Sequence, residues 1–85
     1  MDTNKILVVV NIPLLGETLN VFVPVNKKVG TIKKILIDIA NEDSNFSILN
    51  IKKLKLYEKN TCRLLDNNAY INSSNLHNGS VLILL

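Results

Sequence analysis

Residues 75–85 read NLHNGSVLILL, and this stretch decides the fold. An Asn78-Gly79 pair, which favours a turn, leads into residues 81–85, where every side chain is apolar. A strand that is apolar at every position, rather than at alternate positions, must lose both of its faces to water. We therefore expect a central strand, with one face covered by this chain and the other covered by something else.

A second apolar run lies near the opposite end of the chain. Residues 5–12 (KILVVVNI) are rich in β-branched side chains and predict a strand. After the breakers Pro13 and Gly16, residues 19–25 (LNVFVPV) alternate and predict a second strand, so that the two form an N-terminal hairpin. Because Pro24 cannot donate a hydrogen bond to a ladder, this strand should lie at a sheet edge or end near Pro24.

The hydrophobic period then changes from that of a strand to that of a helix. Apolar side chains recur at helical spacing over residues 29–41, which predicts a helix with Gly30 or Thr31 near its start and Thr31 as a plausible N-cap. The predicted apolar stripe consists of Val29, Ile32, Ile35, Leu36, Ile39 and Ala40, with Lys33, Lys34, Asp38 and Asn41 largely opposite.

The C-terminal half predicts three further strands and so the order β-β-α-β-β-β. Residues 46–52 fit either a further helical turn or an irregular packed loop. If the first and last strands are neighbours, they must be parallel, because the chain crosses over between them, and the two most apolar strands then lie in the middle of the sheet. The remaining segments are a strand at 54–57, a turn at 59–61, a short return strand at 63–65, and a polar loop at 66–74 anchored by Tyr70 and Ile71.

This order of elements resembles the ubiquitin-like β-grasp fold over nearly the whole chain, residues 5–85. The resemblance is carried by the Gly16-Glu17-Thr18 turn and the strand after it, by the helix start Val29-x-x-Ile32, and by the final turn and strand. It implies an α+β fold in one ubiquitin-like domain, residues 1–85. That domain has a mixed sheet in which the first and last strands are parallel and central.

Within that superfamily the chain is similar to the small bacterial proteins of the YukD/EsaB type, which are encoded with type VII (ESX/WXG100) secretion systems. The shared features are a strand ending in Val23-Pro24, a lysine-rich approach to an isoleucine-rich helix, and termination at the last strand. The resemblance implies an accessory or regulatory component of such a system, with a cytosolic domain of the secretion machinery as a possible partner. The sequence ends at Leu85 without a Gly-Gly tail, which disfavours conjugation or sulfur transfer unless the sequence is truncated.

The residues that commonly carry chemistry are few, and they predict a binding protein rather than an enzyme. The one cysteine, Cys62, is expected to be a small packed residue, and the one histidine, His77, an exposed turn residue. We therefore predict no catalytic, cofactor-binding or metal-binding residue. The carboxylates of Glu42, Asp43, Glu58 and Asp66 are expected to be solvated loop charges.

The composition restricts the classes of binding partner and the cellular compartment that we expect. The net charge of +3 is mildly basic and fits a solvated surface, with an acidic partner or lipid headgroups as the alternative. The few aromatic side chains among the lysines argue against specific nucleic-acid binding. No apolar stretch reaches the roughly 18–20 residues that cross a bilayer, and no signal peptide is evident, so we expect a cytoplasmic protein without membrane insertion.

The apolar strands also predict a binding surface. If Ile6, Val8 and Val10 face the helix, alternate residues of the first and last strands form a patch on the opposite sheet face, unless the chain's own loops cover it. This face predicts a protein-interaction module, with a homodimer through the face as one possible use. The alternative function is a ubiquitin-like sulfur carrier or protein modifier whose Gly-Gly tail is processed or missing. The predicted interaction residues are Leu7, Val9, Phe22, Lys55, Val81, Ile83 and Leu85.

Overall fold

The element order of the structure, a computed structural model, confirms the predicted β-β-α-β-β-β pattern. The structure describes residues 4–44 and 53–85, so the expectation for residues 46–52 lies outside the described part. A short 3-10 helix, Ile71–Ser73, lies within the predicted polar loop. The strands and the helix are β1 Lys5–Ile12, β2 Glu17–Pro24, α1 Val29–Ser44, β3 Leu56–Glu58, β4 Arg63–Leu64 and β5 Ser80–Leu84.

The strands form one mixed sheet in the order β2-β1-β5-β3-β4. β1 and β5 are parallel, with Val8 opposite Ser80, while the other neighbours are antiparallel. The first and last strands are therefore adjacent and central, as predicted for a ubiquitin-like β-grasp fold. β2 is an edge strand and also ends at Pro24, so both expectations drawn from that proline are confirmed.

The turn before β5 fixes the start of the parallel pair. The Leu7 backbone N–H donates to Asn78 Oδ1 at 2.8 Å, and the Gly79 N–H donates to the Leu7 carbonyl, also at 2.8 Å. Gly79 has φ +89°, in the region where glycine is favoured. The Asn-Gly pair thus ends a loop and also attaches that loop to β1.

The core lies between one sheet face and α1. Alternate residues of the two central strands are inaccessible to solvent, and the helix covers them from one side only. The buried apolar set comprises Val8, Val10, Ile12, Val23, Val29, Ile32, Leu36, Ile37, Ala40, Leu56, Leu65, Ile71, Leu82 and Leu84.

The start of α1 differs from the prediction that Thr31 caps it. The helix begins at Val29, and the Lys28 carbonyl accepts hydrogen bonds from the Thr31 and Ile32 N–H groups at 3.1 and 3.2 Å. The first two helical N–H groups donate instead to carbonyls of the 66–70 loop, which closes the N-terminus with backbone from another part of the chain. Such long-range capping leaves no local sequence signal.

The apolar stripe of α1 is rotated from the predicted one. Lys33, expected on the polar side, is only 6% exposed, and its Nζ donates to the Leu54 carbonyl at 3.0 Å. Ile35, expected in the stripe, is 44% exposed. A helix advances by about 100° per residue, so the face that contains Val29 continues through positions 32, 33, 36, 37 and 40. The apolar stem of the lysine fills that face while its amine reaches a backbone acceptor.

The C-terminal strands are shorter than, or displaced from, the predicted ones. β3 is Leu56–Glu58 rather than 54–57, although Lys55 still exchanges both backbone hydrogen bonds with Leu85, at 2.8 and 2.9 Å. In the following loop Ile71 is buried as expected of an anchor. Tyr70 is 46% exposed and lies with its ring centroid 5.9 Å from Lys28 Nζ.

Glu58 is not the solvated loop charge that the sequence predicts. Its side chain is buried at the end of β3 and accepts hydrogen bonds from Thr61 Oγ1 at 2.7 Å, the Thr61 N–H at 2.9 Å and the Asn60 N–H at 3.1 Å. These bonds, those from Thr61 foremost, lower the pKa of Glu58; burial acts in the opposite direction, and the Arg63 charge lowers the pKa further. The carboxylate thereby organises the β3–β4 turn.

We expect Leu82→Ala to lower the free energy of unfolding by about 2–5 kcal/mol, because Leu82 is fully buried and its loss leaves a cavity at the centre of the sheet. Urea denaturation measures the change. Leu64→Ala is the matched control, because Leu64 is 51% exposed on β4. This substitution should lower the free energy of unfolding by less than about 1 kcal/mol. Equal costs would contradict the assignment of these two leucines to opposite environments.

We expect the stability conferred by Glu58 to be lost in acid. Because its pKa is lower in the folded protein, its contribution is fully present above the unfolded pKa and disappears as pH falls through the folded pKa. The difference in unfolding free energy between the wild type and Glu58→Gln should therefore favour the wild type at neutral pH and shrink in acid. Glu42→Gln, which removes an exposed carboxylate of α1, controls for the loss of one negative charge. A difference that does not change with pH would refute the assignment.

Candidate protein-interaction surface

The face of the sheet that points away from α1 carries a continuous set of apolar side chains. Along β1, Leu7 and Val9 alternate with the buried Val8 and Val10, so they project to this outer face. The same alternation applies to the other strands, because residues paired across a ladder share a face. We call the following set the outer apolar patch: Leu7, Val9, Phe22, Tyr57, Leu64, Val81, Ile83 and Leu85.

The strand register makes the outer apolar patch contiguous across the whole sheet. Val9 of β1 lies opposite Val81 of β5, and Ile83 of β5 lies opposite Tyr57 of β3. Neighbouring strands are about 4.8 Å apart, so these side chains are in contact range. Three further lateral pairs that include patch members are Leu7–Phe22, Tyr57–Leu64 and Leu85–Lys55. Val9 and Ile83 also lie opposite polar residues, Asn20 and Asn11 respectively.

Every member of the patch retains solvent exposure. The most exposed are Phe22 at 66%, Leu85 at 59% and Leu64 at 51%, which are three of the most exposed large apolar side chains in the described part of the protein. The other members lie between their neighbours and are half-buried. No loop within residues 4–44 or 53–85 therefore covers the patch, and the alternative that the chain's own loops bury it does not hold for those residues.

The rim of the patch is basic. Lys55 lies directly opposite Leu85, and the Lys59 N–H donates to the Val81 carbonyl at 2.9 Å, so alternation places both lysines on the outer face beside Tyr57. Lys5 occupies the equivalent outward position at the start of β1. At the outward positions of the five described strands there is no carboxylate. The electrostatic character of this face is therefore positive around an apolar centre.

The structure places the predicted interaction residues together. Every apolar residue predicted for the surface belongs to the outer apolar patch, and Lys55 lies on its rim; their role in binding remains a prediction. Tyr57 and Leu64 were missed. The alternation of residues 54–57 carried a signal for Tyr57, because it puts Lys55 and Tyr57 on one face, whereas β4 is too short to show any periodicity for Leu64.

A groove adjoins the patch at the edge strand β4. It has a volume of about 380 Å³ and is lined by Leu64 and Lys55 from the outer face, by the buried Leu65, and by the polar residues 66–68. The groove and the outer apolar patch share Leu64, so the two form one continuous surface.

The polar residues elsewhere are engaged in structure. In a second hollow, of about 200 Å³, Arg63 Nη2 donates to the Ser74 carbonyl and Glu58 accepts from its own turn. Cys62 is exposed in the β3–β4 turn with φ +55°, so its predicted role as a small packed residue is wrong. His77 is exposed beside the Asn78-Gly79 turn, as expected. Among the described residues, no group of His, Cys, Asp and Glu side chains has an arrangement that could hold a metal ion.

Solved structures show that the fold is ubiquitin-like. The ubiquitin-like domain of an Arabidopsis thaliana protein superposes with a TM-score of 0.77 at 21% identity, covering 98% of this chain and 78% of that one. The ubiquitin of Caldiarchaeum subterraneum superposes with a TM-score of 0.76 at 16% identity, covering 94% of this chain and 90% of that one. At these identities the likeness concerns the fold alone. No family model matches the chain, and no curated protein matches it.

A further similar structure is part of a membrane complex. A chain of the MycP5-free ESX-5 inner membrane complex superposes with a TM-score of 0.76 at 15% identity, covering 96% of this chain but only 21% of that one. The similarity is thus to one domain-sized portion of a larger protein. In the described part of this chain, no helix has the length and apolar character needed to span a membrane.

Proposed function

We propose that this protein is a non-enzymatic ubiquitin-like interaction module that binds a partner protein through the outer apolar patch. The observation that carries the proposal is the one-sided core: α1 covers one sheet face, and the other face keeps a contiguous apolar surface exposed. An exposed apolar surface of this kind on a small soluble domain usually marks an interaction site.

The charges around the patch indicate the chemistry of the partner. Lys5, Lys55 and Lys59 lie around an apolar centre, and none of the outward-facing residues of the described strands is Asp or Glu. A complementary surface has apolar side chains at its middle and Asp or Glu at its margin, since opposite charges at a rim steer association and fix orientation. We therefore expect a partner with an acidic margin.

The groove beside β4 provides a place for an anchor residue. Its volume of about 380 Å³ accommodates one large apolar side chain; Leu64 and Leu65 form its apolar wall, and Lys55 and Asp66 are among its polar lining residues. Anchors buried in such pockets usually contribute most of the binding energy of an interface. The partner should therefore present a large apolar residue to this groove, whose lining carries both a lysine and a carboxylate.

We further propose that the partner belongs to a type VII secretion system and that the protein acts in the cytoplasm as an accessory or regulatory component. Two considerations support this proposal: the resemblance of short sequence motifs to YukD/EsaB-type proteins, and the fold similarity to part of a chain of the ESX-5 inner membrane complex. The expected partner is a cytosolic domain of the membrane machinery.

We expect Val9→Glu and Ile83→Glu each to raise the dissociation constant for the partner by at least about 30-fold. A charge at the centre of a buried interface weakens the binding free energy by about 2 kcal/mol or more. The measurement is calorimetric titration with purified cytosolic domains of the secretion complex from the same organism. Both residues lie at the middle of the outer apolar patch, in neighbouring strands.

Ile35→Glu is the matched control, because Ile35 is 44% exposed on α1, on the opposite side of the sheet. Thermal unfolding of each variant establishes that the fold persists. Unchanged binding by both patch variants would refute the proposed surface, and equal loss by Ile35→Glu would show that binding does not depend on the sheet face.

We expect Lys55→Glu and Lys59→Glu to slow association with the partner by about tenfold at low salt, because rim charges act mainly on the association rate. Stopped-flow or surface-based kinetics at two salt concentrations measure the effect, which should diminish at high salt. Lys34→Glu, an exposed reversal on α1, is the control for net charge. Equal effects of all three reversals would show that only the net charge matters.

A modifier or carrier role is tested on the protein isolated from its own cells. Intact mass spectrometry would detect a C-terminal thiocarboxylate or an isopeptide adduct if the chain were activated and transferred. Detection of either species would replace the proposed role as a non-covalent module.

A further inference from the structure

The two edges of the sheet are unequal. β4 has only two residues, whereas β2 runs for eight residues from Glu17 to Pro24 and pairs with β1 in an unbroken one-to-one register. Proteins usually protect long edge strands with lysines, bulges or internal prolines. β2 has no lysine or bulge, and its one proline is its last residue. Its outer edge is therefore a template for a further strand.

The register identifies the backbone groups on that edge. The Val25 N–H, directly after β2, donates to the carbonyl of Asn4, directly before β1, at 2.8 Å. The backbone groups of Val25 therefore point toward β1. Hydrogen-bonded positions recur every second residue in an antiparallel pair. The backbone N–H and C=O groups of Val23, Val21 and Leu19 therefore also point toward β1. The N–H and C=O groups of Thr18, Asn20 and Phe22 consequently point away from the sheet, and these three residues are exposed.

From this edge we infer that a second copy of the chain pairs with β2 in antiparallel fashion, with a two-fold axis at Asn20. In that register Asn20 lies opposite the partner's Asn20, and Thr18 lies opposite the partner's Phe22. All outward N–H groups of both copies then find a carbonyl acceptor. Pro24, which has no N–H, falls opposite the partner's Gly16 and beyond the paired segment.

The side chains at this seam are self-complementary. On the inner face Leu19 meets the partner's Val21, so two half-buried apolar side chains gain a neighbour. On the outer face Thr18 meets the partner's Phe22, and the amides of the two Asn20 side chains lie side by side. The one charged residue of β2, Glu17, stands opposite the partner's Val23, so no like charges face each other.

The dimer would be a continuous sheet across two copies, and its outer apolar patches would stay accessible. This inference is distinct from the proposed function: edge pairing uses mainly backbone groups of β2, whereas partner binding uses the side chains of the outer face, and Phe22 is the one patch member that also lies at the seam. Because few residues take part, the association should be weak, at the low end for specific interfaces.

The decisive variant is Asn20→Pro. It deletes the outward N–H at the two-fold axis without removing a hydrogen bond to β1, and Pro24, at an equivalent outward position, shows that this strand accepts a proline ring. We expect the dimer dissociation constant, measured by sedimentation over micromolar to millimolar concentrations, to rise at least about tenfold. Asn20→Thr keeps the N–H and should dimerise like the wild type.

A second variant covers the case in which Asn20→Pro fails to fold. Asn20→Lys keeps the N–H but places two ammonium groups together at the axis, so it should weaken the dimer at low salt and recover at high salt. In the wild type, amide exchange at Thr18, Asn20 and Phe22 should slow as protein concentration rises. A protein that is monomeric throughout this range overturns the inference. So does a dimer that survives both Asn20→Pro and Asn20→Lys but dissociates in Val9→Glu, since it would then form through the outer face.

Discussion

The parallel pairing of β1 with β5 is the constraint on which the rest of this molecule depends. It joins the two most apolar segments, which are separated by most of the sequence, and it is set in place by the hydrogen bonds that Leu7 makes with Asn78 and Gly79. Once these strands are adjacent, their alternation divides the apolar side chains between two faces. One helix can cover only one of those faces, so the exposed apolar surface follows directly from the topology.

Burial is therefore distributed unevenly over the two sides of the sheet. On the α1 side the central strands contribute side chains such as Val10 and Leu82 that are fully inaccessible to solvent. On the outer side, Val9 and Ile83 are half-buried between their neighbours. Residues of the first kind contribute stability, and residues of the second kind are available to a partner at small cost to the fold. The same strands thus serve folding and recognition with alternate residues.

The architecture could be predicted because hydrophobic period and turn residues agree along the chain. The bounds of β1 follow from residue type alone, whereas which alternate residues of β1 and β5 face the helix is seen only in the structure, because both strands are apolar at nearly every position. Two of the errors share a physical origin, since each involves a charged side chain that is buried with hydrogen-bond partners which the sequence pattern does not reveal. Lys33 is buried because its amine finds the Leu54 carbonyl, and Glu58 is buried because its turn supplies donors. Given the face that packs on the helix, the patch residues of the two central strands could be predicted from the sequence. Leu64 could not, because its exposure depends on the course of a two-residue strand.

The position of β5 also bears on how the chain acquires its structure. β5 follows every other described element in sequence, yet it lies between β1 and β3. The N-terminal hairpin and α1 can form from local contacts, but β1 lacks its inner neighbour until β5 is in place. The β3–β4 hairpin meanwhile has no strand to join. The sheet therefore closes only when β5 inserts between β1 and β3, and this step requires long-range contacts, which favours cooperative formation of the whole sheet over strand-by-strand assembly.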